Sequence, residues 1–297
     1  MNRKEFGQLI ASLRQDLSWT QAQLAENADL DNATLSNIER GAKRHLDPDI
    51  LFKLANALQL TTIERREFFL GACGLEQEKM VRQPGPGTPT PVFETERLIN
   101  HLMGVMEQVL LPANLGDCYG DIVAVNTLLL EIFKVEAEAL KVMVSTWGGF
   151  HNLHFVYGML QSQQALGEGY SKSAQDAIRA FREGSLRYRA RPYYQSLLKK
   201  FRDPDQYPLF ERYWRRVSTL EDDKASTLNS MQIQHPQYGT LSLATTSSTT
   251  TTPYGELFLT YFLPMDHHTA ASLVAMSAVS EPKALQLLSW PEKKPLK

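Results

Sequence analysis

Two groups of side chains in this sequence have types and spacings suited to recognition rather than to bond-making. The first is Asn32, Ala33 and Thr34, with Asn37 one turn further, inside the stretch "TQAQLAENADLDNATLSNIERG" at residues 20–41. An asparagine amide can offer a donor and an acceptor together to an adenine edge, and the methyl groups of alanine and threonine fit against a thymine methyl. Arg40, Lys43 and Arg44 follow closely and make a local positive patch that could meet phosphates, or else a solvated helix end. The second group is Arg187, Arg189 and Arg191 among the tyrosines of "SLRYRARPYYQ". A guanidinium fork suits a carboxylate held by two parallel hydrogen bonds. The same arginines could line a solvated helix face or support a dimer. His154, Phe133, Tyr157 and Trp214 read first as ordinary core and second as candidates for the wall of an apolar pocket.

Bond-making chemistry finds no carrier. The sequence has no phosphate-binding loop, no HExxH, no nucleophile elbow and no carboxylate pair at a telling spacing. The adjacent His267 and His268 open a helical stretch and point to different faces of it. Cys73 and Cys118 form neither a disulfide framework nor a zinc knuckle by spacing. The expectation is a protein that is not an enzyme, holds no metal and needs no cofactor. Formal net charge is −2, and residues 1–74 carry 9 Lys/Arg against 10 Asp/Glu, so any case for nucleic acid is local. Apolar runs such as "FLTYFLP" are too short to span a bilayer, and Arg3, Lys4 and Glu5 sit where a signal peptide would be apolar. A cytoplasmic protein without membrane contact is expected.

The elements that would position these residues are legible as patterns. Residues 1–74 read as five helices. Phe6, Leu9, Ile10 and Leu13 make the first apolar stripe; Leu24, Ala25, Leu35 and Ile38 face inward along the quoted stretch, with Leu30 plugging its corner. Asp29 stands where the corner needs a left-handed backbone, Asp31 caps the following helix, and Asp47–Pro48 start the next. Thr62 is the expected cap of the fifth helix. Residues 75–92 include "QPGPGTPTP", which cannot hold a helix or a central strand and reads as a linker. Residues 93–297 read as α+β: a helix, two short strands turning at Tyr119–Gly120, a helical block, three antiparallel strands turning at Tyr238–Gly239 and Pro253–Gly255, and a closing helix. "SSTTTT" is assigned to a strand because Leu241 and Leu243 alternate before it and threonine favours strands.

Thr20–Gln21, Leu24–Ala25, Leu30 and "TLSNIERG" at 34–41 resemble the Cro/repressor (XRE) helix-turn-helix family across roughly residues 3–74. That resemblance implies double-stranded DNA as partner, Gln21 on a phosphate, and Arg14 paired with Glu39 across helices. The segments "LPANLGDCYGDIVAVNTLLLEIF" at 111–133, "YPLFERYWRRVS" at 207–218, "HPQYGTLSLATT" and "GELFLTYFLP" resemble the PAS-like ligand-binding domain of MmyB-like transcription regulators. Members of that family are associated with fatty-acid-like ligands in an apolar cavity. The expected protein is therefore a homodimeric, sequence-specific regulator on a pseudo-palindromic operator, biased by a small hydrophobic ligand. The alternative is a DNA-binding adaptor whose PAS-like half docks a protein partner and senses nothing.

Overall fold

The computed structural model describes residues 1–43, 45–73, 94–147, 149–219, 229–279 and 281–293. The expected linker at 75–92 and the expected phosphate contact Arg44 lie outside the described residues. By its own contacts the chain divides into two units. The first takes the described residues of Met1–Val92, Arg182–Gln195 and Ser218–Asp223; the second takes Phe93–Phe181, Ser196–Val217 and Lys224–Lys297.

The first unit opens with five helices: α1 (Arg3–Asp16), α2 (Gln21–Asn27), α3 (Asn32–Glu39), α4 (Pro48–Ala57) and α5 (Thr62–Ala72). Each begins on a side chain that accepts a backbone N–H the helix itself leaves unpaired. Asn2–Glu5, Thr20–Gln23 and Thr61–Glu64 close reciprocal capping boxes, while Asp31 and Asp47 cap alone. The cap of α5 is thus Thr61, one residue before the expected Thr62. Threonine at 61 has its partner glutamate three residues on, whereas Thr62 would face Arg65. Asp29 has φ 48°, the left-handed corner that lets α3 turn back on α2. Phe6, Ile10, Leu24, Leu35, Ile38, Leu54 and Phe68 are almost wholly buried in one core, and Leu30 packs at its edge.

The second unit contains α6 (Thr95–Gln108), β1 (Ala113–Asp117), β2 (Ile122–Asn126), α7 (Thr127–Ile132), α8 (Ala137–Trp147), α9 (Asn152–Gly158) and α10 (Leu160–Leu166). The helical block continues with α11 (Tyr170–Ser185), α12 (Pro192–Phe201) and α13 (Phe210–Thr219), parts of all three falling in the first unit. Then come β3 (Asn229–His235), β4 (Gly239–Thr252), β5 (Gly255–Pro264), α14 (His267–Val279) and β6 (Ala284–Gln286). The strands form one antiparallel sheet in the order β3-β4-β5-β1-β2-β6. The helical insertion follows the second strand as expected, and the threonine tract lies in β4, with Thr249–Thr252 in register with Phe258–Gly255. Among the described residues six strands stand where five were expected. The extra one, β6, is only three residues long and pairs with β2 alone, so it has no periodicity to read.

Two local devices fix the sheet. Gly239 and Gly255 have φ 69° and 124°, conformations open to glycine at the two hairpin turns. Asn126, fully buried, accepts from the Ala113 and Leu129 amides at 2.9 and 3.1 Å and donates to Leu111 O at 2.7 Å. One side chain thereby ties the end of β2 to the start of β1 and caps α7. Ile99, Leu102 and Met106 of α6 share a core with Leu115, Val123, Leu257, Leu259 and Trp290. A second core joins Ile233, Leu241, Leu243 and Phe262 to α7 and α14 through Leu128, Ile132, Leu273 and Met276.

Candidate nucleic-acid interface and candidate ligand core

In α3, Leu35 and Ile38 point into the core of the first unit, and Asn32, Ala33 and Arg40 are exposed. An eight-residue helix with that division has one face for packing and another for a partner. Thr34 is half-buried; its N–H and hydroxyl both donate to Asp31 at 2.7 Å, which leaves the methyl as its uncommitted group. Asn37, also half-buried, accepts from Arg40 Nη2 at 2.8 Å. Lys43 is half-buried just beyond the helix, its N–H donating to Asn37 O at 3.3 Å.

The pose of α3 is fixed from α1. Arg14 donates through Nε and Nη2 to the two oxygens of Glu39 at 2.7 and 3.0 Å, and through Nη1 to Trp19 O at 2.9 Å. This is the inter-helix pair expected from the family resemblance. Gln21 Nε2 donates to Glu39 Oε2 at 3.0 Å. The side chain that the resemblance assigns to a phosphate is thus also one of the groups holding the end of α3. Gly7 completes the junction, since a Cβ there would overlap the carbonyl oxygens of Ile38 and Glu39. The helices approach that closely only because residue 7 has no side chain.

Three of the expected pocket residues come together in the second unit. His154 Nδ1 lies 2.8 Å from Tyr207 Oη, and Tyr157 Oη donates to Ala174 O at 2.6 Å. Tyr157 stands against Phe210 and Tyr213 at 5.7 and 6.0 Å, and Phe210 against Trp214 at 5.5 Å. Burial holds His154 neutral, its pKa lowered to about 4 with help from the neighbouring His151 and Lys200. Phe133 lies edge-on to Phe155 at 4.7 Å, and Phe150 bridges toward His154 at 6.0 Å. All four residues are buried. The result is a packed aromatic interior with few polar atoms.

Of the three arginines expected to hold a ligand carboxylate, Arg187 and Arg189 are engaged by the chain's own groups. Arg187, Arg189 and Arg191 belong to the first unit. Arg189 is 1% exposed and donates to Asp16 Oδ2 at 3.2 Å, to Arg182 O at 3.1 Å and to Glu64 Oε1. Arg187 donates to Glu67 through Nε at 3.1 Å and Nη2 at 2.5 Å. Arg191 is exposed. The Arg187 and Arg189 guanidiniums do meet carboxylates, but the carboxylates are the chain's own. Glu64 also receives Arg182 at 3.2 and 2.9 Å. Burial by itself would raise the Glu64 pKa; Arg182 and Arg189 override it and hold the group below its usual range. One signal for this network was readable: Asp16 extends the apolar stripe of α1 by one turn beyond Leu9 and Leu13, a place where a carboxylate needs a partner.

A second buried polar cluster has no counterpart in the sequence reading. Asp117 at the end of β1 and Asp121 before β2 both receive Lys293 Nζ, at 2.5 Å in the case of Asp121. Asp117 Oδ1 also accepts from the Tyr119 and Asp121 amides at 2.9 and 3.2 Å. Burial and the neighbouring Asp121 raise the Asp117 pKa to about 6, against the pull of Lys293. His151 accepts from Leu153 N at 3.0 Å through Nδ1, which leaves Nε2 to donate to Tyr119 O at 2.7 Å. Burial lowers its pKa to about 4, so it stays neutral. Among the described residues no group of three His, Cys, Asp or Glu could hold a metal ion, and no helix is long and apolar enough to cross a membrane.

Comparison with known families agrees with both geometries. A helix-turn-helix family model matches residues 10–64, the stretch that builds α2 and α3 and the helices that hold them. The model of the MmyB-like transcription regulator ligand binding domain matches residues 100–276, which takes in the sheet from β1 to β5 and the helical block. Comparison with curated proteins found no match. Because the second model spans more than half of the 297 residues, and the first adds the reading helix in front of it, the chain belongs to the DNA-binding transcription regulators that carry an MmyB-like ligand-binding domain.

Proposed function

We propose that this regulator reads a specific pseudo-palindromic operator as a homodimer and that a small hydrophobic ligand, fatty-acid-like in chemistry, biases its operator affinity. The observation that carries the DNA half is the split face of α3. Leu35 and Ile38 anchor it, and Asn32, Ala33 and the Thr34 methyl are left for base edges. Arg40 and Lys43 add positive charge beside it. A single module of this size grips DNA weakly, which favours two copies on half-sites about 34 Å apart.

For the ligand, support comes from the aromatic interior around Tyr157, Phe210 and Trp214, which offers apolar surface and neutral hydrogen-bonding groups such as His154. Arg187 and Arg189 are bound to the chain's own carboxylates, and the cationic groups beside this interior are Lys200, near His154, and Arg202, 5.7 Å from the Trp214 ring centroid.

The test is mass spectrometry of organic extracts from the purified full chain, together with selection of binding duplexes from a random pool. Recovered fatty acid and one enriched motif support the proposal. An empty interior would favour an adaptor that docks a protein through its second domain, and duplexes of every sequence binding alike would refute the DNA half.

A further inference from the structure

The stretch Arg182–Gln195 lies inside the segment matched by the ligand-binding family, yet it belongs to the same structural unit as the helix-turn-helix. Its contribution there is not superficial. Leu186 is 1% exposed within the core that also holds Leu24, Leu35 and Phe68. Arg182 and Arg189 converge on Glu64 of α5. Arg189 and Tyr194 converge on Asp16, the last residue of α1, Tyr194 donating to Oδ2 at 3.0 Å.

Asp16 lies two residues from Arg14, whose guanidinium holds Glu39 at the end of α3. The two ion-paired sites therefore sit on one rigid turn of α1. One receives the 182–195 segment, and the other sets the pose of the reading helix. We propose that Arg189 and Tyr194 are positioning residues for DNA recognition, acting on α3 through Asp16 and α1. The segment Arg182–Gln195 is then the closing element of the reader. This inference rests on the DNA-reading proposal for its consequence, though not for its geometry.

The chemistry makes Arg189 a demanding choice for mere packing. A guanidinium with 1% exposure is stable only while its carboxylates stay in place, so Asp16 and Glu64 cannot drift independently. The same helix α11 runs on from Phe181, a residue of the second unit, where it packs against His151 and Trp214 at 5.4 and 6.4 Å.

The experiment uses the full chain and two readouts, amide exchange and the affinity ratio between a selected duplex and a scrambled one at fixed salt. Variants are Tyr194→Phe, Arg189→Lys and Arg189→Met, with Arg179→Met on the sensor part of α11 as control. Tyr194→Phe is expected to quicken exchange in the last turn of α1 and in α3 at least threefold while β1 to β5 keep the parental rates. Arg189→Met is expected to lower the affinity ratio at least fivefold, and Arg189→Lys to restore part of it. If Arg189→Met does not fold, Tyr194→Phe and Arg189→Lys decide alone. The proposal is overturned if both leave α3 exchange and the affinity ratio within twofold of the parent. It is overturned equally if α3 quickens only in step with the sheet, which is general destabilisation. Should the parent chain itself fail to tell the duplexes apart, the DNA reading falls, and the α3 exchange rates still decide the positioning role.

Discussion

Replacing Glu39 with alanine separates a reading-helix contact from a structural clasp. The carboxylate accepts three hydrogen bonds, from Arg14 Nε at 2.7 Å, Arg14 Nη2 at 3.0 Å and Gln21 Nε2 at 3.0 Å. Side-chain exposure of the pair is 14% for Arg14 and 8% for Glu39, so water screens it poorly. Breaking a buried pair from one side costs roughly 3–5 kcal/mol because the other charge is stranded. Arg14 keeps its bond to Trp19 O and some access to water, which places Glu39→Ala toward the lower end, about 3 kcal/mol. For a unit of this size each kcal/mol moves the midpoint by roughly 4–8 °C, so the reader's thermal transition should fall by roughly 12–24 °C. Differential scanning calorimetry of the full chain reads that shift, and duplex binding well below the new midpoint reads base preference. The expected outcome is a large stability loss with the preferred motif unchanged. A variant that unfolds like its parent but has lost its motif would show that Glu39 faces the duplex, and the clasp argument would fail.

Further expectations concern the two units separately. Asn32→Ala should lower discrimination at one base pair by about 1–3 kcal/mol in competition binding, whereas Arg40→Ala should weaken all duplexes alike and flatten the salt dependence by about one unit of slope. Lys293→Met should destabilise the second unit by about 3 kcal/mol or more in urea titrations followed by tryptophan fluorescence, because it leaves Asp117 and Asp121 facing each other without their cation. The pH dependence of that unit has two opposed parts. His151 and His154 titrate near 4 when folded, so unfolding takes up their protons and stability is lost as pH falls from about 6.5 to 4. Asp117 titrates near 6 when folded, so its contribution is full below about 4 and is lost as pH rises to 6. Two protons outweigh one: the unit should be less stable at pH 4.5 than at pH 6.5, and Asp117→Asn should steepen that fall. A flat profile would contradict the neutral, buried state of the histidines.

What the sequence determined by itself are features whose partners lie within a few residues. The Asn2, Thr20 and Asp31 caps bond amides three residues on, Asp29 turns the corner, and Gly239 and Gly255 turn the hairpins. Helix faces and the threonine strand follow from periods of 3.6 and 2, which are also local. From these came the five helices, the α+β second domain and the recognition face of α3. Apart from Arg14 with Glu39, which the family resemblance implied, tertiary structure alone decided where the charged side chains of the two buried clusters go. Arg189 and Glu64 are 125 residues apart, Tyr194 and Asp16 are 178 apart, and Lys293 meets Asp117 across 176. An arginine among tyrosines reads the same whether its carboxylate is a ligand's or the chain's own. The charge requires a partner, and only the folded path of the backbone says which one is within reach.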